Sequence, residues 1–334
     1  MLQGLDFMQF PGLLMHLRVA FNIPLNVIKL KQILKVIIFF GFALLFLFFF
    51  NITNDIPLDD LKTEFENKNS KFVEVDGTLL HYVDEGEGIP IILLHGTGAS
   101  LHTWDSWAQR LKDKYRVLRI TLPGFGLSGP RSDKKYKIKD YVDLLESFVE
   151  KIGVQKFHLA GNSLGGSIAW LYTSLYNNKV KKLILINSSG YELDKVPFAI
   201  RIARNKYLNF LIKKISPKIL IKKSLNEVYY DDKLISKSII NRYYKLNLRE
   251  GNRQAFIDRA LTGFIDHTSR LKKITSPTLI LWGKNDEWIN VKFAQKFKTM
   301  IKTSRVSIMN ETGHIPMEEK PFESLKIVEG FLSN

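Results

Sequence analysis

Apolar residues follow two patterns in this chain: one long run near the N-terminus and short runs at intervals after it. From about residue 72, short runs of branched apolar residues end in Gly or a polar residue, as in IILLHG and LILWG. Such runs are typical of strands that are buried on both faces. Between them, apolar residues recur at helical spacing. The alternation predicts an α/β fold with a mostly parallel sheet flanked by helices.

The predicted strands begin with a hairpin, whose turn is formed by Asp76 and Gly77, two residue types that tolerate positive φ. The hairpin and the later strands are placed at 72–86, 90–96, 116–124, 156–162, 180–190, 277–283 and 305–310. Helices are expected between them, including one after Pro321, since proline is favoured at the first position of a helix.

Residues 195–265 interrupt this alternation because they show helical patterns alone. An insertion before the strand at 277–283 would lie at the carboxyl edge of the sheet, where open α/β folds bind ligands. One helical stripe is predicted across residues 207–215, and it is imperfect because Arg204 falls on its apolar side.

The apolar run at 36–50 extends to Ile33 and Ile52, so that 20 residues form a predicted membrane-spanning helix about 30 Å long. Three lysines precede the run and three aspartates follow it: Lys29, Lys31, Lys35, Asp55, Asp59 and Asp60. Positive residues stay on the cytoplasmic side. We therefore expect a single-pass anchor, with a cytoplasmic N-terminus and the remaining chain outside the cytoplasm, on the periplasmic side in a bacterium. A cleaved signal peptide is the alternative, and the lack of a small-x-small cleavage pattern after the run disfavours it.

Charge and composition limit the classes of binding partner that we expect. The net charge of the 334 residues is +16, and residues 195–249 alone hold 14 Lys or Arg against three acidic residues. No nucleic-acid-binding signature accompanies this charge, so an anionic membrane surface is the candidate partner of the basic segment, and a solvated helical surface is the alternative. Cysteine is absent, and no cluster of His and carboxylates has metal-ligand spacing, so neither a cofactor nor a metal is expected.

Ser163 lies in a G-x-S-x-G sequence that follows a predicted strand and precedes an amphipathic helix. That setting is the nucleophile elbow, in which flanking glycines let the chain turn sharply and expose the serine hydroxyl. A phosphate-binding loop is excluded because no Gly-Lys-Ser/Thr closes the motif.

A serine nucleophile needs a base and an acid that orients the base. His314 follows the last predicted strand and is the candidate base, whereas His267 lacks a strand-end context. Asp286 follows the strand at 277–283 and is the candidate acid. The alternative acid position, after the strand at 180–187, is occupied by Asn187, which carries no carboxylate.

The oxyanion that forms during acyl transfer needs two backbone amides. One comes from the residue after the nucleophile, here Leu164, and the other from the loop after the first long buried strand, here Thr97. His95, in the same loop, is expected to brace the loop.

Together these stretches resemble the α/β-hydrolase superfamily: LLHGTG, LPGFGLSG, GNSLGG, LILWGKNDEW and TGHIPMEEKPFESLKIVEGFL. The resemblance is greatest to membrane-anchored bacterial lipases and esterases and to bitopic monoacylglycerol lipases, and it extends to meta-cleavage-product C–C hydrolases. It implies a triad of Ser163, Asp286 and His314 and a helical lid at about 195–265. A serine at the elbow argues against haloalkane dehalogenases and epoxide hydrolases, which use Asp.

We expect an N-terminal segment with its anchor at 1–52 and a tether at 53–70. The α/β core is expected in two parts, at 71–194 and 266–334, with the lid between them at 195–265. The expected function is a membrane-anchored serine hydrolase that cleaves carboxylic esters such as monoacylglycerol or lysophospholipid. The alternatives are a C–C hydrolase and a non-catalytic membrane-anchored binding protein.

Overall fold

A computed structural model of the chain describes residues 33–42 and 52–333. The chain divides into two compact units, Met1–Ile52 and Thr53–Asn334. Residues 33–42 are helical, with mostly exposed apolar side chains. No helix within the described ranges combines the length and the hydropathy needed to cross a membrane. Residues 43–51 of the predicted anchor lie outside those ranges, so the anchor stays a prediction.

The second unit is built on one sheet of eight described strands in the order β1-β2-β4-β3-β5-β6-β7-β8. The strands are β1 Ser70–Val75, β2 Thr78–Glu85, β3 Ile89–Leu94, β4 Tyr115–Ile120, β5 Phe157–Asn162, β6 Val180–Ile186, β7 Thr278–Gly283 and β8 Ser304–Met309. Pairing is antiparallel in β1–β2 and β2–β4 and parallel between all the other neighbours. The predicted, mostly parallel sheet is confirmed.

The hairpin between β1 and β2 turns through Asp76 and Gly77, with φ angles of 47° and 69°. A two-residue turn with both φ angles positive matches the right-handed twist of the strands, which explains the Asp-Gly sequence.

Helices cover both faces of the sheet and bury it in two apolar layers. One layer packs α3 Ile138–Lys151, α4 Leu164–Leu175 and α10 Lys292–Met300 against the sheet. The opposite layer packs α2 Asp105–Leu111, α11 Pro316–Glu319 and α12 Pro321–Leu332. Burial on both faces accounts for the continuous apolar runs of the central strands.

Five described helices lie between β6 and β7 and form what we call the helical insertion: α5 Phe198–Arg204, α6 Asn209–Lys214, α7 Lys218–Val228, α8 Lys237–Asn247 and α9 Asn252–Leu261. The stripe predicted across residues 207–215 is helical only in part. Helix α5 ends at Arg204 and α6 spans Asn209–Lys214 without burying a residue, so Tyr207 lies outside both helices and is 72% exposed. The side chain of Asn205 accepts a hydrogen bond from the Tyr207 amide at 2.9 Å. Such a local bond offers the backbone an alternative to the helix, which explains the break.

Residues 53–70, expected as a tether, contain helix α1, Leu58–Phe65, and make specific contacts with the insertion. The Thr53 amide donates to the Lys214 carbonyl at 2.8 Å. Arg253 donates to Asp55 Oδ1 through Nε at 2.9 Å and through Nη2 at 2.7 Å. The first residues of the second unit therefore pack against the helical insertion.

Two buried histidines predict how the stability of the fold depends on pH. Burial, with added repulsion from nearby positive charges, lowers the pKa of His81 to about 3 and of His158 to about 4. Both are neutral when folded, whereas the unfolded chain takes up protons below about pH 6.5. The free energy of unfolding should fall as pH drops from about 6.5 to 4, by up to about 1.4 kcal/mol per pH unit for each histidine. Urea unfolding of residues 53–334 at a series of pH values measures this slope.

His158→Gln is the matched variant, because glutamine is neutral throughout this range. Its slope should be smaller than that of the natural chain by about one histidine's share. Equal slopes in the two proteins would show that His158 is protonated alike in the folded and unfolded states.

Candidate active site

The carboxyl ends of five parallel strands meet at one edge of the sheet, and each is followed by a residue singled out above. Thr97 follows β3, Ser163 follows β5, Asn187 follows β6, Asp286 follows β7 and His314 follows β8. Parallel pairing in register brings these loops together although they are far apart in sequence.

Ser163 has φ 52° and ψ −114°, an unfavourable conformation for a residue with a side chain. The adjoining glycines explain how the turn is held. A Cβ on Gly161 would lie 2.2 Å from the Gly165 carbonyl oxygen, and one on Gly165 would lie 2.2 Å from the Leu94 carbonyl oxygen. Only glycine allows α4 to pack this closely against β3 and β5, and this packing fixes the predicted elbow.

Asp286 and His314 form a buried hydrogen-bonded pair, with Nδ1 of the ring 2.7 Å from Oδ2 of the carboxylate. The other carboxylate oxygen accepts from the amides of Trp288 and Ile289 at 2.8 and 2.9 Å. An ionised carboxylate at Oδ2 requires Nδ1 to carry the proton, so that Nε2 is the acceptor in the neutral ring.

Within the described residues, Nε2 of His314 is buried and has no hydrogen-bond partner. The structure shows no hydrogen bond between it and the hydroxyl of Ser163. Bonds between catalytic groups are often long in unliganded enzymes and shorten when substrate binds. The indole of Trp288 packs against the imidazole, with ring centroids 5.5 Å apart.

Two asparagines that sequence reasoning did not assign to the site organise this pair. Asn187 donates to Asp286 Oδ2 at 2.7 Å and accepts from the Gly283 amide at 3.1 Å. Asn162 donates to the His314 carbonyl at 3.0 Å. The sequence indicates Asn187 only as an acid position without a carboxylate, although a polar residue at a strand end is itself a signal of a site residue. In the structure Asn187 has a positive φ of 42°.

Gly96 and Thr97 lie beside the elbow, since a Cβ on Gly96 would lie 3.0 Å from the Ser163 Cβ. His95 braces this loop as expected: Nδ1 donates to the Gly96 carbonyl at 2.7 Å and Nε2 accepts from the Leu122 amide at 2.9 Å. Burial lowers the pKa of His95 to about 4, which keeps the acceptor nitrogen unprotonated.

Leu164 is the first residue of α4, so its amide has no acceptor within the helix. Thr97, Ser163 and Leu164 line one cavity together. The roles predicted for these residues, for Asp286 and for His314 stay predictions.

Two glutamates connect the His314 loop to the helical insertion. Glu319 accepts from the Gly313 amide at 2.6 Å and from the Tyr230 amide at 2.8 Å. Glu318, whose side chain is 8% exposed, accepts from Arg242 Nη2 at 2.6 Å and from the Tyr243 hydroxyl at 2.7 Å. Burial opposes the charge of Glu318, but the Arg242 charge and the hydroxyl donors outweigh it and lower the pKa of the carboxyl.

Two cavities of about 190 Å³ each adjoin the site. Cavity 1 reaches His314 and is lined mainly by apolar residues of the insertion, among them Ile202, Ile212 and Leu220. Cavity 2 reaches Ser163. Four residues line both cavities: Thr97, Pro197, Ile200 and Trp288. A bound molecule extending from one cavity to the other would therefore pass Thr97 and Trp288.

The sequence matches the family described as alpha/beta hydrolase fold over residues 89–321. The chain belongs to this family. Among curated relatives of this α/β hydrolase, an uncharacterized hydrolase of Bacillus subtilis (strain 168), YugF, is 28% identical over 72% of the chain and 88% of that protein. A 2-hydroxy-6-oxononadienedioate/2-hydroxy-6-oxononatrienedioate hydrolase of Pseudomonas putida is 27% identical over 80% and 98%.

Solved structures give a third comparison. A membrane phospholipase A described as a bacterial virulence factor superposes with a TM-score of 0.70 and 26% identity. The superposition covers 91% of this α/β hydrolase and 98% of the phospholipase chain.

The close packing at the elbow generates a stability prediction. Gly165→Ala should lower the free energy of unfolding by about 3 kcal/mol or more, because backbone atoms of β3 occupy the position of the new Cβ. Gly330→Ala in α12 is the matched control. A Cβ there meets nothing within 4 Å, so this change should be neutral or stabilise by up to about 1 kcal/mol.

Urea unfolding of both variants measures the difference. A Gly165→Ala protein as stable as the natural one would contradict the close approach of α4 to β3.

Proposed function

We propose that this α/β hydrolase is a serine hydrolase that cleaves carboxylic esters through an acyl-enzyme. The observation that carries the proposal is the buried Asp286–His314 pair, whose open Nε2 lies at the same sheet edge as the strained Ser163. A strained serine at the same sheet edge as an oriented imidazole provides the nucleophile and the base that such a reaction needs.

In the proposed reaction, Ser163 Oγ attacks the ester carbonyl while His314 Nε2 takes the hydroxyl proton. Asp286 holds the ring and stabilises its positive charge. The amides of Thr97 and Leu164 donate to the oxyanion of the tetrahedral intermediate. His314 then protonates the departing alcohol. A water molecule, activated by His314, attacks the acyl carbonyl and releases the acid and Ser163.

The acyl chain is assigned to cavity 1, because its lining is mostly apolar and it ends at His314. The helical insertion acts as the lid of this cavity. Helix α6 has no buried residue, whereas α7 ends at the His314 loop, where the Val228 carbonyl accepts from the His314 amide at 2.7 Å. Helix α6 is therefore the described helix of the lid with the fewest buried contacts.

C–C hydrolysis is the second candidate, supported by the relative from Pseudomonas putida, whose name describes such a substrate. It would use the same triad. Turnover of a dienoic ring-fission product, followed by loss of its absorbance, without turnover of any ester would favour this candidate over ester hydrolysis.

We propose further that the protein is held at a membrane by residues 33–52, with the catalytic unit outside the cytoplasm. The similarity to a membrane phospholipase A over 91% of the chain supports this proposal. The insertion adds a basic and apolar face, which we define as residues 206–223. Its exposed apolar side chains include Tyr207, Phe210 and Ile219, and its exposed cations include Lys213 and Lys214. Exposed aromatics among lysines suit the surface of an anionic bilayer.

The nucleophile is tested by labelling with a fluorophosphonate probe and by turnover of p-nitrophenyl esters of increasing chain length. Ser163→Ala should abolish labelling and lower kcat by at least about 10⁴-fold, because no other group can form the acyl-enzyme. Ser174→Ala is the control, since Ser174 lies in α4, the helix that follows Ser163, and its hydroxyl donates to the Leu171 carbonyl. Labelling that persists in a folded Ser163→Ala protein would refute the assignment.

The membrane face is tested by co-sedimentation of residues 53–334 with vesicles of neutral or partly anionic phospholipid. Binding should increase with anionic lipid and weaken with salt, because each cation near such a surface contributes about 1 kcal/mol. Lys213→Glu with Lys214→Glu should weaken it by about tenfold or more. The matched control is Lys112→Glu with Lys114→Glu, exposed residues outside this face. Binding that ignores both lipid charge and salt would contradict the proposal.

A further inference from the structure

Cavity 2 is lined by two arginines of the insertion, Arg204 at the end of α5 and Arg259 in α9. Neither forms an ion pair with an acidic side chain among the described residues. Other arginines of the insertion do so: Arg242 pairs with Glu318 at 2.6 Å and Arg253 pairs with Asp55 at 2.7 Å. The insertion thus leaves positive charge without an acidic partner at a cavity that reaches Ser163.

The position of Arg259 is fixed from within the site. Its Nη2 donates to the Thr97 hydroxyl at 2.8 Å, and its Nε is buried without a partner in the described part of the chain. Arg204 donates through Nε to the carbonyl of Ala260, the residue after Arg259, at 3.0 Å. The two guanidinium groups are therefore held near each other and near the loop predicted to bind the oxyanion.

The two cations lie close enough for the charge of Arg204 to act on Arg259. Burial lowers the pKa of Arg259, and the charge of Arg204 acts in the same direction. Glu192 also lines the cavity, but it is exposed and pairs with neither arginine. A bound anion would accept the hydrogen bond that the buried Nε of Arg259 lacks, and the exposed Arg204 would add a second positive charge at the same cavity. The planar fork of arginine suits an oxyanion with two oxygens.

We propose that Arg259, with Arg204, binds an oxyanion carried by the alcohol part of the ester, while the acyl chain fills cavity 1. This inference rests on the proposed ester hydrolysis and narrows its substrate class to anionic monoacyl esters. The scissile carbonyl would lie where the two cavities meet, at Thr97 and Trp288. The shared chemistry is a phosphate or a carboxylate close to the ester oxygen.

The test compares three esters with one acyl chain, using the full chain in detergent: 1-decanoylglycerol, 1-decanoylglycerol 3-phosphate and decanoyloxyacetate. The natural protein should have a higher kcat/KM for at least one anionic ester than for the neutral ester. The faster of the two anionic esters identifies phosphate or carboxylate as the recognised group.

Arg259→Gln should lower kcat/KM for the preferred anionic ester by about 10- to 100-fold, the range of a lost hydrogen-bonded charge. The loss on 1-decanoylglycerol should stay below about threefold. Arg259→Lys should recover part of the loss, because it keeps the charge and not the fork. Arg204→Gln should show the same selectivity with a smaller effect, and it tests the subsite even if the buried Arg259 variant folds poorly.

Arg201→Gln is the matched control: Arg201 is an exposed arginine of α5 that does not line either cavity, and its removal should change no rate. Equal losses on neutral and anionic esters in Arg259→Gln would overturn the proposal and leave Arg259 as a support for Thr97. A natural protein that prefers the neutral ester would also overturn it. Failure of the ester-hydrolase proposal itself looks different, because no ester would then be cleaved and the fluorophosphonate would not label Ser163.

Discussion

The close approach of helix α4 to strands β3 and β5 is the constraint on which the rest of the site depends. Carbonyl oxygens of one segment occupy the space that side chains of another would need, so Gly161 and Gly165 are required by contact. This approach forces Ser163 into its strained conformation and brings the Gly96–Thr97 loop beside it. It also leaves the first amide of α4 free of any helical acceptor, next to the serine. One packing contact thus places the candidate nucleophile and the candidate oxyanion donors together.

Polar contacts arrange the other half of the site. Asn187 and the amides of Trp288 and Ile289 satisfy the Asp286 carboxylate, so the charge is stabilised at the place where it orients His314. Glu318 and Glu319 then join the His314 loop to the insertion. Because buried carboxylates need full sets of donors, these contacts hold one end of the insertion firmly. Helix α6, without a buried residue, lacks comparable restraints, and it lies over the apolar cavity.

The basic residues of the insertion fall into three groups according to what surrounds each side chain. Arg242 and Arg253 are neutralised by carboxylates and stabilise the fold, whereas Arg204 and Arg259 face cavity 2 without one. Exposed lysines on α6 and α7 form a third group, directed to solvent. Net charge alone cannot distinguish these groups, since each arginine adds one charge whatever surrounds it. Their different surroundings separate a structural group from the two groups for which we propose roles in binding substrate and a membrane surface.

The sequence by itself determined the parallel sheet, the hairpin at Asp76 and Gly77, and the strand-end positions of Ser163, Asp286 and His314, because hydrophobic periodicity and turn chemistry act over a few residues. It did not reveal the break after Arg204, where a side chain of Asn205 competes with helical bonding. Nor did it assign Asn162, Asn187, Trp288 or Arg259 to the site. Their importance comes from partners that are distant in the chain, such as Asp286 for Asn187 and Thr97 for Arg259. Only the tertiary structure decides such pairings, since they depend on which strand ends become neighbours in the sheet.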